Sequence, residues 1–176
     1  AGAYSKAGWS FMNDAIKNAE RFFSGEEWVL GTSGGVALDR RQVEQSRRQR
    51  YTSDFINQWR EFLKSANVVR YANVKEASQK LTAISGNQSP LLALFWTVSQ
   101  NTGVESPDIQ SAFQPVQFVL PPTSVDKYIG EKNSPYVNAL VTLQAQLEQM
   151  ANSTGSNEAL AAQAASAALQ AKVASR

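Results

Sequence analysis

Histidine and cysteine are both absent from the 176 residues. Their absence removes Ser-His-Asp and Cys-His catalysis, the thiolate nucleophile, and every metal site built on thiolate or imidazole. Only carboxylates, Lys, Tyr, Ser and Thr are left for chemistry. The lack of thiols also leaves the redox compartment open, because a chain without cysteine suits reducing and oxidising surroundings equally. No apolar run approaches the roughly 18 residues of a membrane-spanning helix, and the opening AGAYSK has neither an initiator Met nor a signal-peptide layout. The sequence therefore reads as a piece of a longer chain. A large charge imbalance is missing too. Seventeen basic and 15 acidic residues leave a net charge of +2, too small for global attraction to nucleic acid, so any basic patch has to be local.

What is present favours a folded helical chain. Apolar residues make up 43% and charged residues 18%, with 4 Trp, 5 Tyr and 8 Phe, far from the signature of disorder. Residues 10–23 place Phe11, Ala15, Ala19, Phe22 and Phe23 at helical steps, ended by Ser24 and Gly25. Glu26 to Gly31 is too short to classify and runs into the loop GTSGG, with Trp28 and Leu30 expected to pin it to the core. From Leu38 to Leu63 the spacing predicts a long helix with Val43, Tyr51, Phe55, Trp59, Phe62 and Leu63 on one stripe, and burial beginning near Tyr51. Asn73 to Ile84 predicts a shorter helix closed near Gly86, with Val74, Ala77, Leu81 and Ile84 inward. Ser89-Pro90 then starts a helix whose Leu91 to Val98 is expected to be central and buried.

Between Gly103 and Gly130, Pro107, Pro115, Pro121 and Pro122 predict the longest loop, with a short helix around Ile109 to Phe113. Ser134-Pro135 repeats the helix-start signal, and Val137, Leu140, Leu143, Leu147 and Met150 carry that helix to about Asn152. The tail from Glu158 holds nine Ala between Ala159 and Ala174, a thin helix by propensity. The fold expected is all-α: an irregular bundle of about five to seven helices with a long Pro-containing loop. Residues 1–152 are expected to form the helical domain, and 153–176 an Ala-rich helix leading into a further domain.

Few residues point to chemistry. Glu26-Glu27 beside Trp28 has the types of a general acid in an apolar pocket, and Asp14, Asp54, Glu61, Glu105 or Asp108 could supply the second carboxylate of a glycosidase, but no spacing brings them together. Gly31 to Gly35 lacks the lysine of a phosphate-binding loop. Arg40, Arg41, Arg47, Arg48 and Arg50 form the densest local charge, suited to planar anions, and they are the candidate interaction surface. Glu44 lies three or four residues from Arg40, Arg41, Arg47 and Arg48, so helix-surface pairing explains much of that cluster without a ligand. The stripe Tyr51, Phe55, Trp59 and Phe62 could stack bases or sugars but is more simply core. No catalytic, cofactor or metal residue is assigned.

Taken in order, AYSKAGW (Ala3 to Trp9), EEWVLG (Glu26 to Gly31), YTSDFINQWREFL (Tyr51 to Leu63), SPLLALFWTVSQNT (Ser89 to Thr102) and SPYVNALVTLQAQL (Ser134 to Leu147) resemble the periplasmic region of the IcmF/TssM family. That family is the large inner-membrane component of type VI secretion systems. The resemblance implies a non-enzymatic structural segment of a trans-envelope complex, located in the periplasm and without cofactor. It implies other subunits of the complex as partners, the TssJ-like outer-membrane lipoprotein among the candidates, with no nucleic acid, no membrane insertion by this segment, and self-association open. In the family the lipoprotein contact resembles a property of a strand-rich region after the helical part. Two rival readings stay open: a helical cell-wall glycan hydrolase, motivated by acids beside aromatics, and a nucleic-acid-binding bundle using the Arg40 to Arg50 face.

Overall fold

The computed structural model describes residues 2–18, 40–122, 128–155 and 157–175, with the side chain of Arg40 excepted. Its elements are helices and contain no strand among the described residues. In chain order they are α1 (Lys6–Lys17), α2 (Arg40–Ser65), α3 (Val74–Ser85), α4 (Pro90–Thr102), α5 (Pro107–Ala112), a 3-10 turn (Gln114–Phe118), α6 (Ser134–Asn152) and α7 (Glu158–Ala174). The all-α class expected from periodicity is the observed one. The chain divides into two compact units, Ala1–Ala66 with Gln100–Ala112, and Asn67–Ser99 with Phe113–Arg176.

In the first unit, α1 begins four residues before the predicted start. Ser5 caps it, its Oγ accepting from the Gly8 N–H at 3.0 Å and donating to the Gly2 carbonyl at 2.7 Å. A side-chain cap outweighs apolar spacing in setting a helix start, because it satisfies one of the orphan first-turn donors. Trp9 packs on α2, and Phe11, expected inward, is 58% exposed. Phe22, Phe23, Trp28 and Leu30 lie outside the described residues.

Along α2 burial does begin at Tyr51, and Phe55 is fully enclosed. Tyr51 stacks on Trp9 (5.3 Å between ring centres, 20° between planes) and on Tyr4 (6.1 Å, 21°), while Phe55 meets both rings edge-on. Polar tips complete this lock. The Tyr51 hydroxyl donates to the Ala3 carbonyl, and Trp59 Nε1 donates to the Tyr4 carbonyl at 2.7 Å. Gly8 is required where the chain crosses itself. A Cβ there would lie 2.3 Å from the Gly2 oxygen and 2.5 Å from the Ala3 oxygen. The stripe ends sooner than predicted, since Phe62 is 42% exposed and rests only its edge on Trp59. Val104 and Ile109 are buried in the same unit, and the Gln110 side chain returns to the Val104 carbonyl at 3.0 Å.

In the second unit, Asn73 caps α3 by accepting from the Glu76 N–H at 2.9 Å, and the Glu76 side chain accepts from the N–H of Ala72, the residue before the cap, at 2.7 Å. The α3 residues Ala77, Ser78 and Ser85 are buried. Gly86 closes α3 with φ −82°, an ordinary backbone conformation, so its glycine character is not what ends the helix. Ser89 caps α4 as expected: its Oγ accepts from the Leu92 N–H at 3.4 Å. The second Ser-Pro behaves differently. Ser134 is itself the first residue of α6, and Asn133 precedes it without a side-chain cap. Asn133 is occupied elsewhere, accepting from the Gly130 N–H and donating to the Tyr128 carbonyl, both at 2.7 Å. That pair holds Tyr128 at φ +59°, a left-handed backbone few side chains adopt.

Leu92, Val119 and Val137 centre the core of this unit, with Phe95, Trp96, Tyr128 and Ile129 packed on them. The α4 segment expected to be wholly buried is therefore half-buried along much of its length, with Leu92 and Val98 as its enclosed side chains. The Pro-containing stretch carries the short helix expected near Ile109, as α5, and the 3-10 turn after it. Pro107 and Pro115 sit at first-turn positions, where the missing N–H costs nothing and the fixed φ favours the helix. The α7 helix lays Ala164, Ala167 and Ala171 inward, and α6 is its neighbour.

Candidate functional site

Beside the aromatic lock of the first unit, neighbouring faces of α1 and α2 line a cleft of about 1320 Å³. Lys6, Ser10, Asn13 and Lys17 recur at three- and four-residue steps along the α1 wall, and Thr52, Ser53, Ile56, Asn57 and Arg60 do so along α2. The third wall is the run from Gly103 into α5, where Glu105, Ser106, Asp108 and Ser111 line the space. Trp9 reaches the cleft with one face already covered by Tyr51.

The lining is mixed polar and apolar in nearly equal shares, and its charges are of both signs. Asp14 accepts from the Asn18 side chain at 2.8 Å, and Asn13 donates one of its two amide hydrogens to the Trp9 carbonyl at 2.9 Å, which leaves one donor and its oxygen. Beneath the cleft, Tyr51 has its hydroxyl pKa pushed up to about 12, by burial first and by the neighbouring Tyr4 second. That hydroxyl is a structural donor. Among the described residues no group of three or more acidic side chains gathers closely enough to hold a metal ion.

The five arginines do not converge. At about 100° per residue, Arg41 and Arg48 share one face of α2, Arg40 and Arg47 share another, and Arg50 lies nearly opposite Arg48. Arg48 pairs with Glu44 at 3.4 Å, the surface pairing foreseen for the cluster, and Arg50 lies 4.0 Å from Asp54, a pairing not foreseen. Of the four arginines whose side chains are described, Arg48 alone lines the cleft, and Arg41 and Arg47 are exposed; Arg40 is described for its backbone only. Of the carboxylates considered for glycan chemistry, Asp14, Glu105 and Asp108 share the cleft whereas Asp54 and Glu61 do not. Glu26, Glu27 and Gly31 to Gly35 lie outside the described residues. Lys6, Asn13, Lys17, Asn57 and Arg60 escaped the sequence reading; their signal was the polar face complementary to the aromatic stripe.

Fold and site together define a chain whose described elements are all helical, with an aromatic lock at its start and a charge-bearing cleft beside it. A family model described as IcmF-related, intracellular multiplication and human macrophage-killing, matches residues 1–103, and the chain belongs to that family. It is 32% identical over 83 residues to the type VI secretion system component TssM1 of Pseudomonas aeruginosa PAO1, a stretch covering 47% of this chain and 8% of that protein. The chain thus spans less than a tenth of that relative's length. No solved structure matches it. Among the described residues no helix is long and apolar enough to cross a membrane.

Proposed function

We propose that the chain is a non-enzymatic structural segment of a type VI secretion trans-envelope complex, the periplasmic part of an IcmF/TssM-like inner-membrane protein. One observation carries the reading. The family match covers residues 1–103, the stretch that builds the lock of Tyr4, Gly8, Trp9, Tyr51, Phe55 and Trp59. The relative's name supplies the system. The mechanism is associative: packed helices hold a fixed shape, and exposed faces meet other subunits of the complex, the TssJ-like lipoprotein or a second copy among them.

Two measurements test it. In the full-length parent protein, a protease site placed in the Ala66–Tyr71 connection should be cut in spheroplasts and protected in intact cells; protection in both would refute the periplasmic assignment. Biolayer interferometry against the cognate TssJ-like lipoprotein, with serum albumin as control, then locates the outer-membrane contact. Saturable binding places it on these helices, and its absence makes the segment a spacer or a self-assembly element.

A further inference from the structure

We infer that the first-unit cleft is a binding site for peptide-bearing cell-wall glycan, so that the segment grips the peptidoglycan it passes. This rests on the periplasmic reading above. The volume of about 1320 Å³ exceeds the roughly 300–1,000 Å³ of a small-molecule pocket. Its two helical walls, Lys6 to Lys17 and Arg48 to Arg60, run about 17 and 18 Å at 1.5 Å per residue, the reach of an oligomer.

The lining chooses among polymers. Protein segments are captured by sheet edges, by apolar helix grooves, by aromatic grooves for proline-rich chains, or by arginine clusters for phosphopeptides. None of these is built here: the described residues hold no strand, the walls carry nearly as much polar as apolar surface, and the charges are of both signs. Hydroxyls and amides of Asn13, Gln49, Thr52, Ser53, Asn57 and Ser111 instead offer both donors and acceptors to a ligand rich in hydroxyl and acetamido groups. Lys6, Lys17 and Arg60, and across from them Glu105 and Asp108, make no ion pair among the described residues. Charges of both signs in one cleft, paired with none of the described residues, match a ligand that carries carboxylates and amines together. A glycan bearing peptide stems does so, and a neutral polysaccharide does not.

The test is co-sedimentation of the 176-residue chain with purified insoluble peptidoglycan sacculi, with cellulose as the neutral glycan. Saturable binding to sacculi and not to cellulose is expected. The double variant Asn57→Ala/Arg60→Ala, both exposed positions, should bind at least about tenfold more weakly, the loss of two hydrogen bonds, with an unchanged melting curve. Arg41→Ala/Arg47→Ala, outside the cleft, should bind as the parent does. No pelleting, equal pelleting with cellulose, or an unaffected Asn57/Arg60 variant would overturn the inference. Because sacculi are used in vitro, such a failure leaves the spheroplast result standing. Soluble saccharide in the supernatant would support the ligand class while overturning the non-enzymatic reading.

Discussion

Replacing Gly8 by Ala tests whether the start of the chain is locked as described. In an exposed helix the change would gain about 0.5–1 kcal/mol from reduced backbone entropy. Here the added Cβ would stand 2.3 Å from the Gly2 oxygen, 2.5 Å from the Ala3 oxygen and 2.7 Å from the Ala3 carbonyl carbon, all backbone atoms. No rotamer change relieves such contacts, so residues 2–4 have to move away from α1. That movement draws the Ala3 carbonyl from the Tyr51 hydroxyl and the Tyr4 carbonyl from Trp59 Nε1. The two bonds contribute about 1 kcal/mol each, and the contacts of Tyr4 with Tyr51 and Phe55 about as much again. Set against the helix gain, the net expectation is a destabilisation of about 2–3 kcal/mol. Urea unfolding followed by circular dichroism and tryptophan fluorescence measures it. Gly86→Ala is the matched control, because its Cβ would meet nothing nearer than the Thr82 oxygen at 3.9 Å and its φ suits alanine, so it should stabilise by about 0.4–1 kcal/mol. In the Gly8→Ala background, Tyr51→Phe should cost less than in the parent, since its bond is already lost. A Gly8→Ala protein as stable as the Gly86→Ala one, or additive costs in the double variant, would refute the lock.

Tyr51 itself titrates late: with its pKa pushed up to about 12 by burial, its neutral form favours the fold, so that stabilisation is complete below about pH 10 and is lost as pH rises through 12. Absorbance titration near 295 nm should show one tyrosine ionising about two pH units late and missing in Tyr51→Phe. Asn133→Ala removes the acceptor for Gly130 and the donor to Tyr128, and a loss of about 1–3 kcal/mol is expected in thermal melts. Asn133→Asp, which keeps only the acceptor, should fall between. Ala167→Leu, at a position 4% exposed, should cost about 1–3 kcal/mol by overpacking, whereas Ala168→Leu on the exposed face of α7 should be nearly neutral in the same melts.

Much of this molecule follows from local chemistry. The step of three and four apolar residues gives α2 and α6, the Asn73-to-Glu76 pair caps α3, Ser89-Pro90 opens α4, and alanine content makes α7, because each depends on neighbours within one turn. The mutual distance of the five arginines was also implicit, since helical pitch alone spreads them round α2. Family likeness was legible in the order of short strings. Tertiary structure decided the rest. Only the crossing of residues 2–4 over α1 makes Gly8 obligatory. Only the Asn133 side chain, committed to Tyr128 and Gly130, leaves the second Ser-Pro without the capping of the first. The cleft belongs to the same class. Asn13, Asn57, Arg60, Glu105 and Asp108 are ordinary surface residues in sequence, spread over nearly a hundred positions, and nothing local to any of them encodes the other walls. They become one site because the aromatic packing of α1 on α2 fixes which neighbouring faces are left to meet.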